Sequence, residues 1–110
     1  MKVLLFAILD HQEETEKLLH QLSKDGYNGT VIPTSGLHHV LPSFSDNQTG
    51  AISLSCMVDD LPSGNITLFI VIDENKVEAL KEKIRKATSS FKQIKGGMFV
   101  LPLTSVEGTF

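Results

Sequence analysis

Val3 to Leu9 is apolar at every position, and Ile66 to Ile72 is broken only by Thr67. Each run is too short for an independent helix and rich in branched residues, the mark of a strand buried on both faces. Two such strands need cover on both sides, and that requirement constrains the fold more than any other feature. Leu, Ile, Val and Phe make up 36 of the 110 residues, enough for a modest core in one domain spanning 1–110.

The segments between these strands carry helical patterns. Asp10 stands three residues before Glu13, the spacing of a capping box. Leu18, Leu19 and Leu22 follow at helical spacing with Thr15 on the same face, and Gly26 closes the pattern. A helix from about His11 to Asp25 is predicted. Asp73 can cap a second helix, whose stripe is Val77, Leu80, Ile84, Ala87 and Phe91. Gly29 to Ser35 and Met98 to Leu103 complete the set as strands, and each contains a proline, Pro33 and Pro102. A strand proline cannot donate to the ladder and sits best on an edge. Strands two and four at the edges, with one and three at the centre, give an α+β ferredoxin-like βαββαβ sheet. Two helices cover one face only. The other face of the first strand (Leu4, Phe6, Ile8) is apolar too, so the long connection or another subunit must cover it. Oligomerisation is the preferred reading.

Composition excludes several classes. The formal net charge is −3, so a basic nucleic-acid footprint is absent. No apolar run approaches the ~20 residues of a membrane span, and direct membrane insertion is not expected. Met1–Leu9 turns at once into Asp10-His11-Gln12-Glu13 without a small-residue cleavage site, which reads as a strand of a cytoplasmic protein. The lone Cys56 fits a reducing compartment.

An excursion of 30 residues, Gly36 to Asn65, joins two strands that a hairpin would otherwise connect. Loops beyond ~12–15 residues are uncommon in compact domains and are usually functional. Ile52, Leu54, Cys56 and Val58 alternate as a half-buried strand, whereas Leu37 to Gly50 is expected to be mobile. The plainer alternative is a decorated hairpin that covers the open sheet face.

Chemistry-bearing residues are few. His38 and His39 are candidate metal ligands, but adjacent strand residues face opposite ways, and no supporting ligand spacing exists. Cys56 reads as a buried small hydrophobe. Asp59-Asp60 and Asp73-Glu74 belong to a turn and a helix start. In Lys92-Gln-Ile-Lys95-Gly96-Gly97, two lysines and a glycine pair lie between helix and strand. Backbone N–H groups there can approach an anion while the lysines supply charge, although a solvated turn is the plainer reading of those residues alone.

Lys95-Gly-Gly-Met-Phe-Val-Leu-Pro-Leu103 resembles the C-terminal strand of the nitrogen-regulatory P-II signalling proteins and of the P-II-like cyclic-di-AMP receptors. The first strand and helix, the Thr30…Thr34-Ser35-Gly36 strand exit and the Ile66–Ile84 unit fall in the same order. The resemblance covers most of the chain outside Leu37–Asn65. It implies a non-enzymatic regulatory homotrimer with small-molecule sites between subunits. The excursion would correspond to the T-loop, which reports ligand state to a partner such as a regulated enzyme or transporter. Thr30 and Gly36 match the base of that loop; Lys92, Lys95, Gly96 and Gly97 match the phosphate-side turn. A nucleotide or another small anion is the implied ligand, and no cofactor is otherwise called for. The tail Thr104–Phe110 lacks the arginines that P-II proteins use to hold ATP, and Asn28 and Leu37 depart from the cyclic-di-AMP receptors. The alternative is a divalent-metal-binding trimer resembling the copper-tolerance CutA proteins, with His38 or His39 at subunit junctions. An acylphosphatase-like enzyme would need an arginine in a loop near the first strand, but the only arginine is Arg85, on a helix.

Overall fold

The structure, a computed structural model, describes residues 1–37 and 64–110. Four strands form one antiparallel sheet: β1 (Lys2–Asp10), β2 (Thr30–Thr34), β3 (Asn65–Asp73) and β4 (Gly96–Pro102). Their order is β2-β3-β1-β4. The two proline-bearing strands are the edges and the two apolar runs the centre, as the prolines require. Helix α1 (Glu13–Lys24) follows β1, and helix α2 (Val77–Thr88) follows β3 after a 3-10 turn at Glu74–Lys76. This is the ferredoxin-like βαββαβ arrangement.

Strand pleating sorts the apolar residues of β1 between two faces. Val3, Leu5, Ala7 and Leu9 turn to the helices and are buried, whereas Leu4, Phe6 and Ile8 on the open face are half-buried. Leu18 and Leu22 of α1, Leu80 and Ile84 of α2, and Leu68, Ile70 and Ile72 of β3 complete the core on the helix side. A buried side chain of this kind contributes roughly 1.5–3 kcal/mol relative to leaving it in water. Thr15 is fully buried beside them and survives there because its hydroxyl donates to the Asp10 carbonyl at 2.6 Å.

Both expected caps are corrected. Strand β1 runs on through Asp10, which pairs with Asn65, so α1 begins later and Gln12 occupies its N-cap without a side-chain hydrogen bond. Asp73 ends β3 opposite Lys2 and forms an ion pair with it at 3.0 Å instead of capping a helix. The second helix also stops short of Phe91. Ser89, Ser90 and Phe91 take φ of 52°, 56° and 63°, a left-handed turn that swings the chain back towards the sheet. The Thr88 hydroxyl supports it by donating to the Ile84 carbonyl (2.8 Å) and accepting from the Phe91 N–H (3.1 Å). The expected strand at Ile52–Val58, the mobility expected for most of Leu37–Gly50, and His38, His39, Cys56, Asp59 and Asp60 lie outside the described residues.

Candidate functional site

The Lys92–Gly97 turn is held from three directions. Its Lys92 and Gln93 N–H groups donate to Ser89 and Thr88 carbonyls, both at 3.2 Å. Ile94 is fully buried and plugs the turn into the core. The Lys95 carbonyl accepts from the Asp10 N–H at 2.9 Å, joining the turn to the end of β1. With Ile94 pointing in, Lys92 and Lys95 point out; both are exposed, and neither has an ion-pair partner among the described residues.

The two glycines play different parts. Gly96 has φ +145°, and a Cβ there would overlap the Ile8 carbonyl oxygen, so it is glycine because β4 begins in close contact with β1. Around Gly97 a Cβ would meet nothing within 4 Å. That open space beside the lysines is where an anion can approach the backbone.

The sheet separates the other candidate residues from this turn. Thr30 pairs with Phe69, Phe69 with Phe6, and Phe6 with Phe99, so Thr30 lies in the central cross-strand row. Gly36, half-buried, follows β2 at the end of the sheet that also carries the turn, but on the opposite edge. Three strand spacings of ~4.8 Å separate the two edge strands, about 14 Å. Lys92, Lys95, Gly96 and Gly97 therefore come together, whereas Thr30 and Gly36 do not join them within one chain.

The open sheet face carries a row of rings along that same central line. Phe6 packs edge-on against Phe69 with centroids 4.3 Å apart, and stacks on Phe99 at 4.9 Å. Phe99, Leu101 and Ile32 remain 47%, 44% and 42% exposed on this face. Aromatic pairs are worth ~0.5–1.5 kcal/mol beyond their buried area; Phe99 and Leu101 lie on β4 and Ile32 on β2, so exposed apolar side chains stand at both edges of this face.

The far end of the sheet holds charged groups that motif reading passed over. Lys83 reaches Asp25 at 2.7 Å, and this hydrogen bond lowers the Asp25 pKa below the usual carboxylate value while raising that of Lys83. Lys2 lowers the Asp73 pKa in the same way. Asp25, Lys2 and Asp73 border a cavity of about 330 Å³ that is also walled by Tyr27, Asn28, Ile70–Ile72, Lys76 and Phe110. A signal for one pair was present: Lys2 precedes the first apolar run and Asp73 follows the second, so antiparallel pairing must bring them face to face. No group of three or more His, Cys, Asp or Glu side chains is placed to hold a metal among the described residues. No helix there is long and apolar enough to cross a membrane.

No protein-family model matches the chain, and no curated protein matches it in sequence. Solved structures do match it in shape. A functionally unknown protein from Pediococcus pentosaceus superposes with a TM-score of 0.62 at 24% identity, covering 98% of this chain and 97% of that one. Arabidopsis thaliana PII bound to citrate superposes with a TM-score of 0.60 at 18% identity, covering 93% of this chain and 77% of that one. With its strand order and its two helices on one face, the chain has a PII-like fold.

Proposed function

We propose that this chain is a non-catalytic regulatory protein of the P-II type. Its open sheet faces meet in a homotrimer, and it binds a small anion or nucleotide in the clefts between subunits. The 36–65 excursion reports the bound state to a partner, a regulated enzyme or transporter, in the cytoplasm. The observation that carries this reading is the separation of the exposed Lys92/Lys95/Gly97 turn from Thr30 and Gly36 by the width of the sheet. A ligand touching both sets must bridge two chains, and the exposed apolar side chains at the two edges of the open face, Phe99 and Leu101 on β4 and Ile32 on β2, offer a surface to hold those chains together. The citrate carried by the Arabidopsis structure supports a small anionic ligand on this scaffold.

The test is a thermal-shift screen with nucleotides, cyclic dinucleotides and citrate, followed by calorimetry on the best ligand with wild type and with Lys92→Ala/Lys95→Ala. A ligand that binds the native state selectively raises the melting temperature. Charge-assisted contacts contribute roughly 1.5–3 kcal/mol each, so the double variant should bind at least about a hundredfold more weakly while melting normally. Unchanged affinity would place the ligand elsewhere, and no shift with any of these anions would contradict the anion-sensing reading.

A further inference from the structure

Strand β3 is longer than its outer neighbour. Its Asn65–Phe69 half pairs with β2, but Ile70–Asp73 runs on beside β1 with no second partner among the described residues. Alternate residues of that stretch turn N–H and C=O groups outward, an open edge able to accept another strand. The chain departs from this edge at Asp25–Asn28, and the resulting gap is the cavity of about 330 Å³.

The C-terminal segment leads to the same place. After β4 the Leu103 N–H donates to the Lys2 carbonyl at 3.2 Å, so the chain turns across that end of the sheet. Beyond Leu103, no backbone hydrogen bond holds Thr104–Phe110 to the described residues, yet Phe110 lines the cavity. In Val106-Glu-Gly-Thr-Phe110 the apolar ends fall on one face of an extended strand and Glu107 and Thr109 on the other. Lys76, on the cavity wall, has no ion-pair partner among the described residues and matches Glu107 in charge. Within Val106–Phe110 the one positive φ is at Gly108, +106°, where the chain bends. Glycine passes from that region to the extended one at little cost, so Gly108 can serve as the hinge.

We propose that Thr104–Phe110 is a strap that closes over the cavity, adding a fifth strand along Ile70–Asp73 with the Phe110 ring seated against Tyr27 and Gly108 as its hinge. Closure shields an edge that would otherwise template pairing with other chains.

Amide hydrogen exchange at Ile70–Asp73 tests this in four proteins: the full chain, a chain ending at Leu103, Phe110→Ala and Gly108→Val. The strap predicts exchange at the outward amides about tenfold faster without the segment and faster in Phe110→Ala, with core amides of β1 unchanged. Gly108→Val, which favours the extended backbone, should slow exchange. Equal rates in the full chain, Phe110→Ala and Gly108→Val would overturn the proposal even if the shortened chain failed to fold. An isotope-labelled shortened chain assembled with unlabelled full chain separates the two sources of a strand. Unprotected amides in the labelled chain support closure within one chain, whereas restored protection would assign the strand to a second copy and overturn it.

Discussion

Replacing Gly96 and Gly97 one at a time separates backbone packing from ligand access at adjacent positions. Gly96→Ala forces an L residue to φ +145°, a region essentially reserved for glycine and costing about 1–3 kcal/mol. Its Cβ would also overlap the Ile8 carbonyl oxygen, and the Ile8 carbonyl carbon would lie only 2.8 Å away. Both are backbone atoms of a central strand, so a rotamer change cannot relieve them. The start of β4 must withdraw, breaking the Leu9–Gly96 and Ile8–Gly97 pairings at about 1 kcal/mol per hydrogen bond. The sum is about 3–5 kcal/mol, a large share of the ~5–15 kcal/mol that holds a domain. At ~4–8 °C per kcal/mol, the melting temperature should fall by more than about 12 °C. Gly97→Ala meets open space and should melt within a few degrees of wild type. Urea and thermal unfolding at one fixed protein concentration measure both. Equal stability of the two variants would refute the assignment of Gly96 to close strand approach.

Other consequences are as specific. Ser89→Gly/Ser90→Gly should raise stability, because the left-handed backbone at φ 52° and 56° costs non-glycine residues more than glycine loses in chain entropy; the net gain is about 0.5–1 kcal/mol per site, read by urea unfolding. The folded Asp73 pKa is lowered by Lys2, so its stabilisation is present above the unfolded carboxylate value and is lost as pH falls through the folded one. Stability of Asp73→Asn should consequently fall less steeply than wild type between about pH 5 and pH 2, a small difference since both partners are nearly half exposed. Lys83 is raised by Asp25, so that contribution is intact below its unfolded value and fades as pH climbs through the folded one; Asp25→Asn should remove the alkaline loss.

Much of this fold was legible because the strongest signals were steric and apolar. Pro33 and Pro102 placed their strands at the edges, and Val3–Leu9 with Ile66–Ile72 had to fill the centre. The apolar open face was visible in Leu4, Phe6 and Ile8, although the alignment of Phe69, Phe6 and Phe99 in one row depends on a register that periodicity does not supply. Asp10 and Asp73 looked like caps because their spacing to a helix was right; cross-strand pairing claimed both residues first. Phe91 fitted the α2 stripe by count, yet it is the last residue of a left-handed turn that no glycine announces. The candidate site was the least legible part. Spacing could bring Lys92, Lys95 and Gly97 together, and the edge prolines set them apart from Thr30 and Gly36, but nothing in the spacing shows that Gly96 packs on the Ile8 carbonyl while Gly97 faces open space.

The central claim is that copies of this chain associate through the open sheet face and build their ligand sites between them. Light scattering on the eluting peak of wild type and of Phe99→Asp tests it most directly. The account predicts three times the 12.1 kDa chain mass for wild type at micromolar concentration. It predicts a folded monomer for Phe99→Asp, since Phe99 is 47% exposed in the single chain and a carboxylate there is tolerated by water but not by a second copy. A wild-type monomer, or an unchanged trimer in the variant, would contradict it.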